Sequence, residues 1–209
     1  MTTLAIFAGA TLALLLVPGP AVVYIVTRSV AQGRAAGMVS VAGIHAGSVV
    51  HVVAAALGVS ALLAASATAF TLVKYLGAAY LVYLGLRKLF ARADALTKEV
   101  EPVSRSRLFG EGFVVNVLNP KTAIFFLAFL PQFVDPKYGP VAAQIVVLGL
   151  IWIALGMASD GSYALLSAAL AGRLRRSPLA ARRLDVASGL VYIGLGAVAA
   201  LAGDSARKA

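Results

Sequence analysis

The chain has 209 residues, 61% of them apolar and 12% charged, with a mean hydropathy of +0.93 and a formal net charge of +10. A soluble domain of this length has too little interior for that much apolar surface, so the composition reads as an integral membrane protein of packed helices, one polytopic domain over 1–209. The absence of cysteine excludes disulfides and thiol chemistry, and basic residues confined to short loops between apolar runs point to membrane anchoring rather than to nucleic acid.

The first apolar run covers 4–26. It has no basic leader and no clear cleavage site before Pro18, so it is read as a retained span rather than a signal peptide. Pro18-Gly19-Pro20 lies inside it. Proline lacks the backbone donor and clashes with the preceding turn, so this helix is expected to break there. The second run, 38–64, opens on Gly33 and Gly37 and contains Gly43 and Gly47. Small residues at that spacing let helix backbones approach closely, and packing is the reading given to them. This run also carries His45 and His51. Six residues apart, they point about 120° away from each other around a helix, which argues against a shared metal; His45 is expected to bond a neighbouring helix or to line a pathway. The third run, 69–90, holds Tyr75, Tyr80 and Tyr83, read with Trp152 as packing or interfacial aromatics.

The fourth run, 108–133, is interrupted by Asn119-Pro120-Lys121, with Asn116 one turn earlier. Asn119 precedes a proline and so favours an extended conformation, from which its amide can serve exposed backbone. Glu111, near the edge of this run, reads as solvated. The fifth run, 141–171, contains Ser159-Asp160-Gly161-Ser162, expected to interrupt it. The sixth covers 186–203. Each of the first five runs reaches the ~20 residues that a helix needs to cross the hydrocarbon.

Six spans divide into two halves of three, about 1–90 and 107–203, joined by a basic loop at 91–106. An odd number of spans per half inverts the second copy relative to the first. The expected fold is therefore all-α, six transmembrane helices as two inverted three-helix repeats, with helices 1 and 4 broken at their proline motifs. Paired interrupted spans mark a transporter's binding site, because freed backbone groups in a bilayer must meet protein, water or cargo. Loops one, three and five carry thirteen basic residues and the opposite side four. Basic loops stay cytosolic, which places both termini outside.

Asp160 is the one acid in the middle of a span. It lies 13 residues before Arg173, about 20 Å from the cytosolic end of a regular helix. A buried charge in lipid needs a partner or water and marks a functional position. Lys121, at similar depth on a span running the other way, is its expected partner; a purely structural ion pair is the alternative. Asn116, Asn119 and the freed helix ends supply donors and acceptors suited to a zwitterion. No P-loop, metal-binding tail or soluble catalytic domain is visible, so no enzyme activity, cofactor or metal is expected.

Several motifs together carry a family resemblance. They are Pro18-Gly19-Pro20 with Val22-Val23-Tyr24, Gly33-Arg34-Ala35-Ala36-Gly37, Gly43-Ile44-His45-Ala46-Gly47, Tyr75-Leu76-Gly77-Ala78-Ala79-Tyr80-Leu81, Gly112-Phe113, Asn119-Pro120-Lys121 and Leu130-Pro131-Gln132-Phe133. In this order the chain resembles the LysE/RhtB family of bacterial amino-acid exporters over nearly its whole length. The resemblance implies six helices, the bacterial inner membrane, and efflux of amino acids or related small metabolites driven by the proton-motive force. Partners are then an amino-acid-like solute, protons and the bilayer, with a homo-oligomer left open. Family members often carry Asn where this chain has Ala21, which bears on the cargo. The rival readings are a metal-ion or other small-solute efflux protein of related architecture and a membrane scaffold without transport. Histidine-rich or acidic loops would favour the first rival, and none is present. Midplane Asp160 and Lys121 with two broken helices argue against the second.

Overall fold

The computed structural model describes residues 2–65 and 101–171, with scattered helical positions between 68 and 90 and at 190, 193 and 197. Its ordered elements are all helical, and no strand occurs among the described residues. Most of the expected third and sixth spans, and the loops at 91–100 and 172–185, lie outside them.

Helix α1 covers Thr2–Leu15 and α2 covers Pro20–Gln32, the two bent by 53° across the break between them. Pro20 occupies the first position of α2, where its missing N–H would have had no helical partner anyway. Gly33 closes α2 at φ 82°, a left-handed conformation that favours glycine, and its N–H returns to Ser29 O at 2.9 Å. Helix α3, Arg34–Ala65, follows at once. Helix α4 covers Arg105–Val117, capped by Ser104, whose hydroxyl accepts from Arg107 N. After a second break, α5 (Pro120–Ile124) passes into a π turn at Phe125–Phe129 and a 3-10 turn at Leu130–Phe133. This second pair bends by 46°. Helix α6 covers Val141–Ala169.

Two helices, over Arg34–Gly58 and Val141–Ala169, are long and apolar enough to cross a membrane unbroken, and the two bent pairs each qualify as one broken span. The expected interruption at Ser159-Asp160-Gly161-Ser162 does not occur: α6 runs through it. Ser162 Oγ donates back to Ala158 O at 2.8 Å, and Ser159, Asp160 and Gly161 face the protein interior. Buried against protein, their polar atoms give the helix no reason to surrender backbone bonds that lipid could not replace.

Helix α3 is central: 56% of its spanning window is buried, against 28% for α6. Glycines explain how it packs so closely. A Cβ on Gly43 would collide with the backbone of Phe109, one on Gly47 would meet Phe113 O at 2.8 Å, and one on Gly112 would meet Ser40 O at 2.9 Å. The α3–α4 seam therefore brings two backbones together through small residues. Beside it, Phe7, Phe125, Phe126, Phe129 and Trp152 build an aromatic core, with Trp152 and Phe125 centroids 4.2 Å apart. Leu57, Leu150 and Leu166 point outward, as a lipid-facing surface requires.

Candidate functional site

Each break frees backbone carbonyls, and side chains from other segments donate to three of them. Pro20 brings no N–H to Leu16 O, four residues earlier; Tyr163 OH donates to it instead, at 2.7 Å. The ammonium of Lys121 donates to Val17 O at 2.7 Å, so the first turn after the second break is bonded directly to the first break. At the second break Pro120 leaves Asn116 O without its helical donor. His51 Nε2 lies 2.8 Å from that oxygen and Asn119 N 3.0 Å. Because a carbonyl only accepts, His51 carries its proton on Nε2.

Asn116 and Asn119 hold the second break together. The Asn116 amide donates to Ile44 O at 2.8 Å and to Ser48 Oγ at 2.9 Å. Its oxygen accepts from Thr122 Oγ1 at 3.0 Å and from Asn119 Nδ2 at 3.4 Å. Asn119 Oδ1 accepts from Lys121 N at 3.1 Å and so caps α5. The sequence offers both asparagines to cargo; in the structure their amides are largely occupied by protein groups around the second break.

Asp160 is 3% exposed and His45 5%. Lys121, the partner expected from the sequence, lines the same pocket as Asp160, and the Asp160 carboxylate meets His45, whose Nε2 lies 3.1 Å from Oδ2. The reason lies in packing: Gly156, one turn before Asp160, leaves room for the imidazole of α3, and a Cβ there would collide with the ring. His45 Nδ1 is buried without a hydrogen-bond partner.

These residues converge on one small pocket of about 20 Å³. Gly19, Ala21 and Val22 from α2, His45 and Ser48 from α3, Asn116 from α4, Asn119, Lys121 and Thr122 around the second break, and Trp152 and Asp160 from α6 all line it, with Leu15 and Ile44. Pro18 and Pro20 flank the α2 end of the wall, and Pro120 stands between Asn119 and Lys121. Trp152 is therefore both a core aromatic and a wall of the pocket. His51 is turned away from His45 toward α4, and no group of three or more potential metal ligands occurs among the described residues.

Several contributors were not legible as such. Tyr163 could have been found by asking which donor replaces the proline at Leu16 O, three residues along the helix from Asp160. Ser48, Thr122 and Gly156 carry no local signal. Glu111, read as solvated, accepts instead from Arg28 Nη2 at 2.7 Å and Arg107 Nε at 2.8 Å, and Tyr24 OH lies 3.2 Å away. Arg28 comes from α2, so only the tertiary fold brings the pair together.

Apolar helices enclosing a buried polar pocket, where two bent helix pairs meet, define a helical membrane protein with ionisable groups in its interior. The chain matches the family described as LysE type translocator over residues 12–203, and it belongs to that family. It is 34% identical over 190 residues to a membrane protein of Vibrio cholerae serotype O1, covering 90% of this chain and 91% of the relative. It is 34% identical over 186 residues to the homoserine/homoserine lactone efflux protein of Salmonella typhimurium, covering 88% and 89%. A leucine efflux protein of Salmonella choleraesuis is 32% identical over 126 residues, 58% of each chain. No solved structure matches the chain.

Proposed function

We propose that this protein is a secondary active exporter of amino acids or related small metabolites, moving them out of the cytoplasm across the bacterial inner membrane. The observation that carries the reading is the pocket itself: a carboxylate, an imidazole and an ammonium, each nine-tenths or more buried, gathered where two spans break. Buried ionisable groups in a membrane interior are costly unless they serve a solute or proton path. Relatives named for homoserine, homoserine lactone and leucine efflux support an amino-acid-like cargo.

Export against a gradient needs a site whose affinity for cargo changes with protonation. Asp160 and His45 can change charge; the buried Arg28 cannot. We assign proton coupling to the Asp160–His45 pair, with Lys121 setting the local field. The two halves, 1–90 and 107–203, act as inverted repeats that rock about the joined breaks and expose the pocket to alternate sides. Transport needs no cofactor or metal in this scheme.

Purified protein in proteoliposomes with an imposed pH gradient, tested with a panel of labelled amino acids, decides the matter. Gradient-dependent accumulation of at least one amino acid is expected. Absence of flux for every amino acid, from protein shown to be folded and inserted, would return the chain to the scaffold reading.

A further inference from the structure

The two broken spans offer their new helix ends differently. Asn119 caps α5 with its own side chain. Helix α2, 13 residues long, starts after Gly19, which has no side chain, and no side chain caps it. The first N–H groups of a helix have no internal acceptors and carry the positive end of the dipole. At α2 those groups belong to Ala21 and Val22, and Gly19, Ala21 and Val22 all line the pocket.

A second feature of the same pocket also calls for a ligand. His45 is 5% exposed and lines the pocket, yet Nδ1 has no partner. When the Asp160 carboxylate is ionised it accepts from Nε2–H, and Nδ1 then presents a lone pair. One part of the pocket thus lacks an anion, and another lacks a donor. A group that supplies both is a zwitterion.

We propose that the uncapped N-terminus of α2 is a carboxylate subsite and that His45 Nδ1 accepts from the cargo's ammonium, so that the preferred cargo is an open-chain α-amino acid with a free carboxylate. This rests on the transport reading above and narrows it. A lactone, ester or amide of the same amino acid keeps the ammonium but brings no anionic oxygen to α2. It would leave the helix end desolvated and unpaired, which a site built for hydrogen bonding penalises. A phosphate or dicarboxylate would meet α2 but would set its further charge against Asp160.

The test uses the full chain in proteoliposomes and reads counterflow of labelled L-homoserine and L-leucine. Competitors are the unlabelled acids, homoserine lactone and leucinamide. The acids are expected to compete about tenfold better than the lactone and amide, the order of one favourable charge at a helix N-terminus. Gly19 has an extended backbone, φ −104° and ψ −169°, open to any residue. In Gly19→Asp the new carboxylate caps α2 and occupies the subsite, so the acid-over-lactone preference should collapse toward one. Gly19→Ser, a neutral cap, should reduce it and keeps the test available if the Asp variant fails to insert. Equal competition by acid and lactone in the parent protein, or an unchanged preference in an inserted Gly19 variant, overturns the subsite while leaving the transporter reading intact. Absence of counterflow for any amino acid overturns both.

Discussion

Asp160, His45 and Gly156 form one unit at the residue scale. The carboxylate is buried and meets Nε2 of His45, and the ring fits because Gly156 has no Cβ. If this pair couples protons to cargo, Asp160→Asn should abolish gradient-driven export while membrane abundance stays at the parent level. His45→Gln should do the same, and the double variant should be no worse than either alone, because residues acting as a unit are non-additive. Export from cells fed peptides, normalised to membrane abundance, measures this; parent-level export by Asp160→Asn would move coupling elsewhere. His51 has a different task. Its N–H serves the carbonyl that Pro120 leaves bare, and its ring stacks near Phe126 at 6.1 Å. His51→Phe keeps the ring and removes the donor, so it should cost stability on the order of 1 kcal/mol. Thermal unfolding in detergent would read that loss, and no change would mean that Asn119 N alone suffices.

The elements are arranged by which backbones can touch. Helix α3 holds the centre because Gly43 and Gly47 let it approach α4, and Gly112 of α4 returns the contact. Gly43→Ala places a methyl into the Phe109 backbone, which cannot swing aside as a side chain would. Overpacking of that kind costs about 1–3 kcal/mol. The expected readout is lower thermal stability and lower membrane abundance. Gly58→Ala, where a Cβ meets nothing within 4 Å, should show neither. The broken pairs obey a related constraint. A break is tolerated in lipid only where protein, water or cargo satisfies the freed groups, and here Tyr163, Lys121 and His51 come from three other segments to do it. At the other end of the same helices Arg28, Glu111 and Arg107 tie α2 to α4.

For the whole molecule the basic residues set the expectation. Thirteen lie in loops one, three and five or at the helix ends beside them, and four on the opposite side. The termini should therefore be extracytoplasmic, and 91–106 and 172–185 cytosolic. A reporter pair active on opposite sides of the membrane, fused at Ala209, tests this; a cytosolic signal there would mean an odd number of spans or a reversed orientation. Inverted halves make a companion expectation. The chain has no cysteine, so single cysteines can be introduced without background. Cysteines in the loops at 91–106 and 172–185 should label from the cytosolic side and those at 136–139 from the opposite side.

Composition, proline placement and charge asymmetry are properties of the chain itself, and from them follow the helical membrane class, the approximate spans and the positions of Pro18, Pro20 and Pro120 within apolar runs. The motifs in series were enough to recognise the family. Asp160 and Lys121 also stood out unaided, since an ionisable residue in an apolar run is visible in one dimension. That Asp160 meets His45 and that Lys121 reaches a carbonyl of the first break was not visible. Span register and tilt decide that, and these depend on where glycines permit close approach between helices far apart in sequence. Thus Asp160 meets His45 across 115 positions, Lys121 reaches Val17 across 104, and Arg28 reaches Glu111 across 83. The continuity of α6 through Ser159–Ser162 is settled in the same way. A polar run reads as a break when its surroundings are unknown; here Asp160 lines a pocket and meets His45, and Ser162 bonds back to its own helix, so the backbone bonds persist.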